Sequence, residues 1–132
     1  MHIQRGSWAE INLDAVAHNV QQAKANLKPG TKLCAVVKAD AYGHGAIRVA
    51  QEAARNGADF FAVALLQEAV QLRDAGIDLP ILVLGSMLTE VADLVVRYNI
   101  SHAVFDEERL YALNEAALKP VSYTHLRAHE TE

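Results

Sequence analysis

One cysteine, three prolines and a 6% share of aromatic residues are all that this 132-residue chain holds of the residue types that staple, break or bulk out a small fold. The lone cysteine, Cys34, excludes an intramolecular disulfide framework. It sits inside the apolar run Leu33-Cys34-Ala35-Val36-Val37, so the sequence predicts a core position and a reduced setting. Twelve basic residues stand against sixteen acidic ones, for a net charge of -4, and the Lys and Arg are scattered singly. That excludes the basic stripe nucleic acid requires. No stretch approaches the roughly 20 apolar residues that span a bilayer. Met1-His2-Ile3-Gln4-Arg5 leads into polar residues instead of the apolar segment of a secretory leader. The expectation is a cytoplasmic protein with neither a nucleic-acid nor a membrane partner. What the chain does have is a 52% hydrophobic share rich in Ala, Val and Leu. That composition suits an α/β protein better than a β-sandwich, and the length allows one small domain with a real core.

The hydrophobic pattern divides into four βα units, with strands beginning near residues 32, 60, 81 and 102. Residues 7–13 alternate loosely and read as a short strand or an extended lead-in. A helix then starts with Asn12 or Asp14 as cap and stops at Pro29-Gly30. Lys32 to Lys38 is the first predicted strand, and Ala46 to Gly57 brackets a helix of small residues. Phe60 to Leu65 is the second strand, followed by a helix through Ala69, Val70, Leu72 and Arg73 that Gly76 ends. Ile81 to Leu84 is the third strand, and Thr89 is placed as the cap of a helix bearing Val91, Leu94 and Val95. His102 to Phe105 is the fourth, and Asp106 opens a last helix with Leu110, Leu113 and Ala117 on its buried face. Continuous apolar strands alternating with amphipathic helices imply a parallel sheet with right-handed crossovers. This pattern alone does not separate an eight-unit barrel from a doubly wound sheet.

The chemistry concentrates in Ala35 to Gly45, AVVKADAYGHG. Lys38 ends a buried strand where parallel sheets place their ligands, at the carboxyl end. An amine desolvated there is pushed toward its neutral form and becomes a nucleophile for a carbonyl, the chemistry of a Schiff base. Val36 points the same way as Lys38 at period two. Gly43 and Gly45 read as turn residues, and Asp40 either orients Lys38 or faces water. His44 reads as a loop or capping residue, outside the site.

AVVKADAYGHG closely resembles the pyridoxal-phosphate attachment segment of the alanine racemase family. Ser7-Trp8-Ala9-Glu10, Ile11-Asn12-Leu13-Asp14-Ala15, Leu72-Arg73-Asp74-Ala75-Gly76-Ile77 and Pro80-Ile81-Leu82-Val83-Leu84-Gly85 resemble further segments of it. The resemblance runs from about Trp8 to about Pro120. It implies an α/β fold, the first half (four βα units) of a TIM-type (β/α)8 barrel. It implies pyridoxal 5'-phosphate as cofactor and no metal. Lys38 is then both catalytic and cofactor-binding, Tyr42 contacts the cofactor phosphate, and Val36 and Leu84 touch the cofactor. It also implies interconversion of L-alanine and D-alanine for the cell wall, and a homodimer for the full-length protein.

From about Ser122 the row reads SYTHLRAHETE, and the apolar periodicity stops. We divide the chain into a partial barrel domain, residues 1–121, and a non-native tail, residues 122–132. His125 and His129 share a helical spacing, but no third metal ligand accompanies them. In the family the second acid/base is a tyrosine from a carboxy-terminal domain, and an arginine and most of the phosphate loop come from later in the barrel. The expectation is an inactive amino-terminal piece. Two other readings share the amine: a non-catalytic pyridoxal-phosphate-binding protein, or a racemase of another small amino acid such as serine. A third is a plain α/β interaction domain.

Overall fold

Four short strands lie parallel in the order in which the chain makes them: β1 (Cys34–Val36), β2 (Phe60–Val63), β3 (Ile81–Val83) and β4 (Ser101–His102). The computed structural model describes residues 6–119. A doubly wound sheet reverses its strand order partway, whereas the wall of a barrel advances without reversal. The order β1-β2-β3-β4 is the barrel pattern. The register aligns Ala35 with Phe61 and Phe61 with Ile81 in one row, and Val36, Ala62, Leu82 and Ser101 in the next.

These rows face opposite ways because side chains alternate along a strand. Phe61, Val63, Ile81 and Val83, with Val37 just past β1, point to the helices and are fully buried. Burial of this kind contributes about 1.5–3 kcal/mol for each large side chain. The opposite face is open in part: Val36 is 41% exposed and Leu84 42%, while Ala62, level with Val36, is buried. Cys34 falls on this open side and is half-buried, so its expected core position is corrected. Burial still pushes its thiol above its ordinary pKa. The apolar run has the composition of a strand covered on both faces, but the described residues cover only one.

The helices are α1 (Leu13–Ala25), α3 (Ala46–Arg55), α4 (Leu66–Asp74), α5 (Ala92–Arg97) and α6 (Glu107–Leu118); a single turn, α2 (Lys38–Tyr42), follows β1. Asn12, not Asp14, caps α1: its Oδ1 accepts the amides of Asp14 and Ala15 at 2.9 and 3.2 Å. Residues 7–12 form no strand, and α1 ends at its C-cap Asn26, ahead of Pro29. Asp106 caps α6 as expected, accepting the Arg109 amide at 2.9 Å.

Three expectations are corrected. Thr89 opens a 3-10 turn (Thr89–Val91) and its hydroxyl donates to Glu90 Oε1 at 2.8 Å instead of capping α5. On α6, Leu110 and Ala117 are exposed, while Ala116 is buried beside half-buried Leu113. Packing against α5 sets that face, so the helix is rotated from the periodicity-based choice. Strand four is Ser101–His102, earlier and shorter than His102 to Phe105. The boundary at residues 121 and 122 and the pair His125 and His129 lie outside the described residues. Among the described residues no helix is long and apolar enough to cross a membrane.

Candidate functional site

At the carboxyl end of the sheet the chain does something its composition does not announce. After Val37, whose amide bonds Ala62 O at 2.9 Å, the backbone turns left-handed. Ala39, Asp40, Ala41 and Tyr42 have φ of 51, 56, 55 and 57°, and Gly43 continues at 90°. For L-residues this costs about 1–2 kcal/mol each, so the surroundings must over-determine it. They do. The Ala41 amide donates to Val37 O at 3.0 Å, and the Gly45 amide to Asp40 O at 2.9 Å. Asp40 Oδ1 accepts the Ala46 amide at 2.8 Å, which satisfies a donor in the first turn of α3. Asp40 is exposed, as one of the two expectations had it, and its Oδ1 holds the start of α3. His44 Nδ1 lies 3.0 Å from Ala41 O, a loop role as expected. Beneath the turn, Ala41 is buried in the core.

The turn corrects the position of Lys38: it opens α2 and is not the last residue of a strand running from Lys32. It is half-buried. Carrying the register of β2 and β3 two residues on puts Ala64 beside Leu84, in the row above Val36, Ala62 and Leu82. Val36 and Leu84 are the exposed apolar residues of that face, and Lys38 follows Val37 at the same end of the sheet. Tyr42 is 60% exposed on the same strand-to-helix connection. A Cβ built at Gly43 or Gly45 would meet nothing within 4 Å, so open space lies beside them. An amine, a phenol and two apolar walls at one mouth fit a flat aromatic aldehyde carrying a phosphate. Among the described residues no group of three or more His, Cys, Asp or Glu could hold a metal.

Three residues outside the expected site shape both ends of the sheet. Glu68 Oε2 accepts the Ala39 amide at 2.7 Å, and Oε1 accepts those of Ala64 and Leu65 at 2.9 Å each. Gly85 lets β3 approach β2: its amide donates to Ala64 O at 3.1 Å, and a Cβ there would stand 2.5 Å from that oxygen. Arg73, 3% exposed, works at the opposite end. Its guanidinium donates to the carbonyls of Ile77, Leu79, Tyr98 and Asn99 at 2.7–2.9 Å. Burial lowers its pKa, and Asp78 pulls the other way.

A family model described as "Alanine racemase, N-terminal domain" matches residues 11–129. The chain belongs to that family. The alanine racemase N-terminal domain match continues past Ser122, into the stretch set apart on sequence grounds. "Alanine racemase 2" of Oceanobacillus iheyensis is 48% identical over 125 residues, covering 93% of this chain and 32% of that protein. The alanine racemase of Desulfovibrio desulfuricans is 49% identical over 113 residues, covering 86% of this chain and 30% of its own. The crystal structure of alanine racemase from E. faecalis superposes with a TM-score of 0.77 at 43% identity, over 86% of this chain and 30% of that one. The Clostridium difficile 630 alanine racemase gives 0.81 at 40% identity, over 88% and 31%. The chain spans about a third of the length of the curated relatives it matches. Its four parallel units are the first half of the family's TIM-type barrel.

Of the residues that shape the mouth, Glu68 and Gly85 left only faint traces in the sequence. Glu68 stands three residues past Leu65 at a helix start, where an acidic residue in the first turn is a capping signal. Gly85 closes an apolar strand, which marks close approach of another backbone.

Proposed function

We propose that this chain carries the cofactor-holding half of a pyridoxal-phosphate-dependent alanine racemase. The observation that carries the proposal is the half-buried Lys38 at the carboxyl mouth of β1, beside the uncovered Val36 and Leu84, with Tyr42 held on the following turn. The relatives' shared name supports alanine over serine, and catalysis over mere carriage.

Lys38 Nζ would bind the cofactor's aldehyde carbon, and the Tyr42 hydroxyl would donate to its phosphate. Val36 and Leu84 would cover the ring and keep water from it. When bound, pyridoxal phosphate supplies an electron sink that makes the α-hydrogen of an amino acid removable. Displaced by the substrate amine, Lys38 Nζ would take or return that proton on one face of the α-carbon. Inversion needs a second acid/base on the other face, and no described residue stands out for it. The proposal therefore includes that this chain alone does not racemise alanine. It also includes, for the whole protein, a homodimer, a cytoplasmic setting and supply of D-alanine for peptidoglycan.

Borohydride reduction of the chain mixed with pyridoxal phosphate, followed by peptide mapping, tests the assignment. The label is expected on Lys38 and is expected to vanish in Lys38→Ala. A label elsewhere, or none, sinks the reading.

A further inference from the structure

Glu68 uses both carboxylate oxygens on backbone amides. Two of its bonds are local: Oε1 takes the Ala64 and Leu65 amides, at the end of β2 and the start of α4. The third is not. Oε2 takes the Ala39 amide at 2.7 Å, across 29 residues of sequence. Capping its own helix needs no such reach, so local helix stability does not account for it. Ala39 follows Lys38 directly and is the first of the four left-handed residues that lead to Tyr42. A carboxylate that binds a backbone amide gives a short bond, about twice as strong as a neutral one.

We propose that Glu68 is a positioning residue for Lys38. By tying the Ala39 backbone to the end of β2, it fixes the direction in which Lys38 leaves β1 and starts the left-handed turn that holds Tyr42 at the same mouth. The role is exercised through the backbone, and it rests on the reading of Lys38 as the cofactor-holding amine.

Glu68→Gln tests it. The substitution keeps the side chain's shape but leaves one acceptor oxygen, so an amide NH2 must face either Ala39 or the Ala64 and Leu65 pair. Asp59→Asn, at the other end of the sheet, is the control for a weakened carboxylate–amide bond away from the mouth. Borohydride trapping of pyridoxal phosphate on the full chain is measured against cofactor concentration, with melting temperatures alongside. Glu68→Gln is expected to raise the half-saturating concentration about tenfold, the equivalent of losing one charged hydrogen bond. Asp59→Asn is expected to stay within about twofold, as a distant and independent site should. In 15N-labelled protein the Ala39 amide proton is expected to move upfield in Glu68→Gln, with no cofactor present.

Wild type and Glu68→Gln labelled equally at Lys38 would overturn the positioning role and leave the cofactor reading standing. Labelling that falls in both variants in step with melting temperature would also overturn it, as would an unmoved Ala39 amide. An unlabelled wild type would remove the cofactor reading and the role together. Should Glu68→Gln not fold, Glu68→Asp, one methylene shorter and unable to span the same three amides, decides: weaker trapping at Lys38 is expected, and trapping equal to wild type would overturn the proposal.

Discussion

The two ends of the sheet are held by opposite charges. At the carboxyl mouth one anion, Glu68, gathers three backbone amides. At the base one cation, Arg73, gathers four backbone carbonyls from the segments that lead into β3 and β4. The difference follows from the polarity of a βα unit. Helices begin at the mouth, where their first amides lack partners, and end at the base, where their last carbonyls do. Backbone strain is distributed as unevenly. Four of the five non-glycine residues with positive φ among those described lie in the turn after Lys38; the fifth, Asn99, lies beside the Arg73 cluster. An end sewn together by a buried guanidinium suits stability, and the opposite end is the one where parallel sheets place their ligands.

Breaking the base should do the greatest damage. Arg73→Met keeps bulk but strips four carbonyls of their donor, and is expected to cost about 3 kcal/mol or more, since each buried unpaired group costs about 1–3. Urea denaturation measures it. A loss below about 1 kcal/mol would mean that apolar packing, not the guanidinium, holds the base together.

At the mouth, Gly85→Ala forces a methyl against Ala64 O and is expected to cost about 1–3 kcal/mol by overpacking. Because β2 and β3 part at the mouth where Lys38 lies, trapping at Lys38 should weaken as well. Unchanged melting would show that the two strand ends slide apart freely.

The smallest effect is a pH dependence at the base. Asp59 accepts from Lys24 and from the Leu33 amide, and the hydrogen bond from Lys24, ahead of the Leu33 bond, holds its carboxyl below the usual range. The folded value lies below the unfolded one, so the unfolded chain takes up the proton first as pH falls. The stability this group contributes is complete above about pH 4. It is lost as pH drops through the folded value. Asp59→Asn should flatten the acid limb of a stability–pH curve while leaving the neutral melting temperature only slightly lower. An unchanged acid limb would remove Asp59 from the base's electrostatics.

Much of this was legible from residue order. The strand and helix alternation and the cap Asp106 follow from local chemistry and periodicity, and Asn12 was one of the two caps open for α1, but which face of the continuous apolar strands is buried was not legible. The left-handed turn was not legible. Ala39 and Ala41 carry no signal for positive φ, since Ala favours the right-handed helix, and Asp40 carries only a weak one. The Arg73 cluster was equally hidden, because its four acceptors are backbone carbonyls that any residue supplies. Leu110 misled because packing against α5 sets the buried face of α6, and Thr89 because its hydroxyl goes to Glu90 in a 3-10 turn.

By itself, then, the order of side chains determined the succession of βα units and the presence of one amine at the end of an apolar run. Those properties depend on solvation and local dihedral preference, which act within a few residues. Tertiary structure alone decided that the chain after Lys38 winds left-handed, that Glu68 reaches Ala39, and that Arg73 closes the base. Each of these joins groups distant in the chain, and their backbone partners look alike at every position until the fold brings them together.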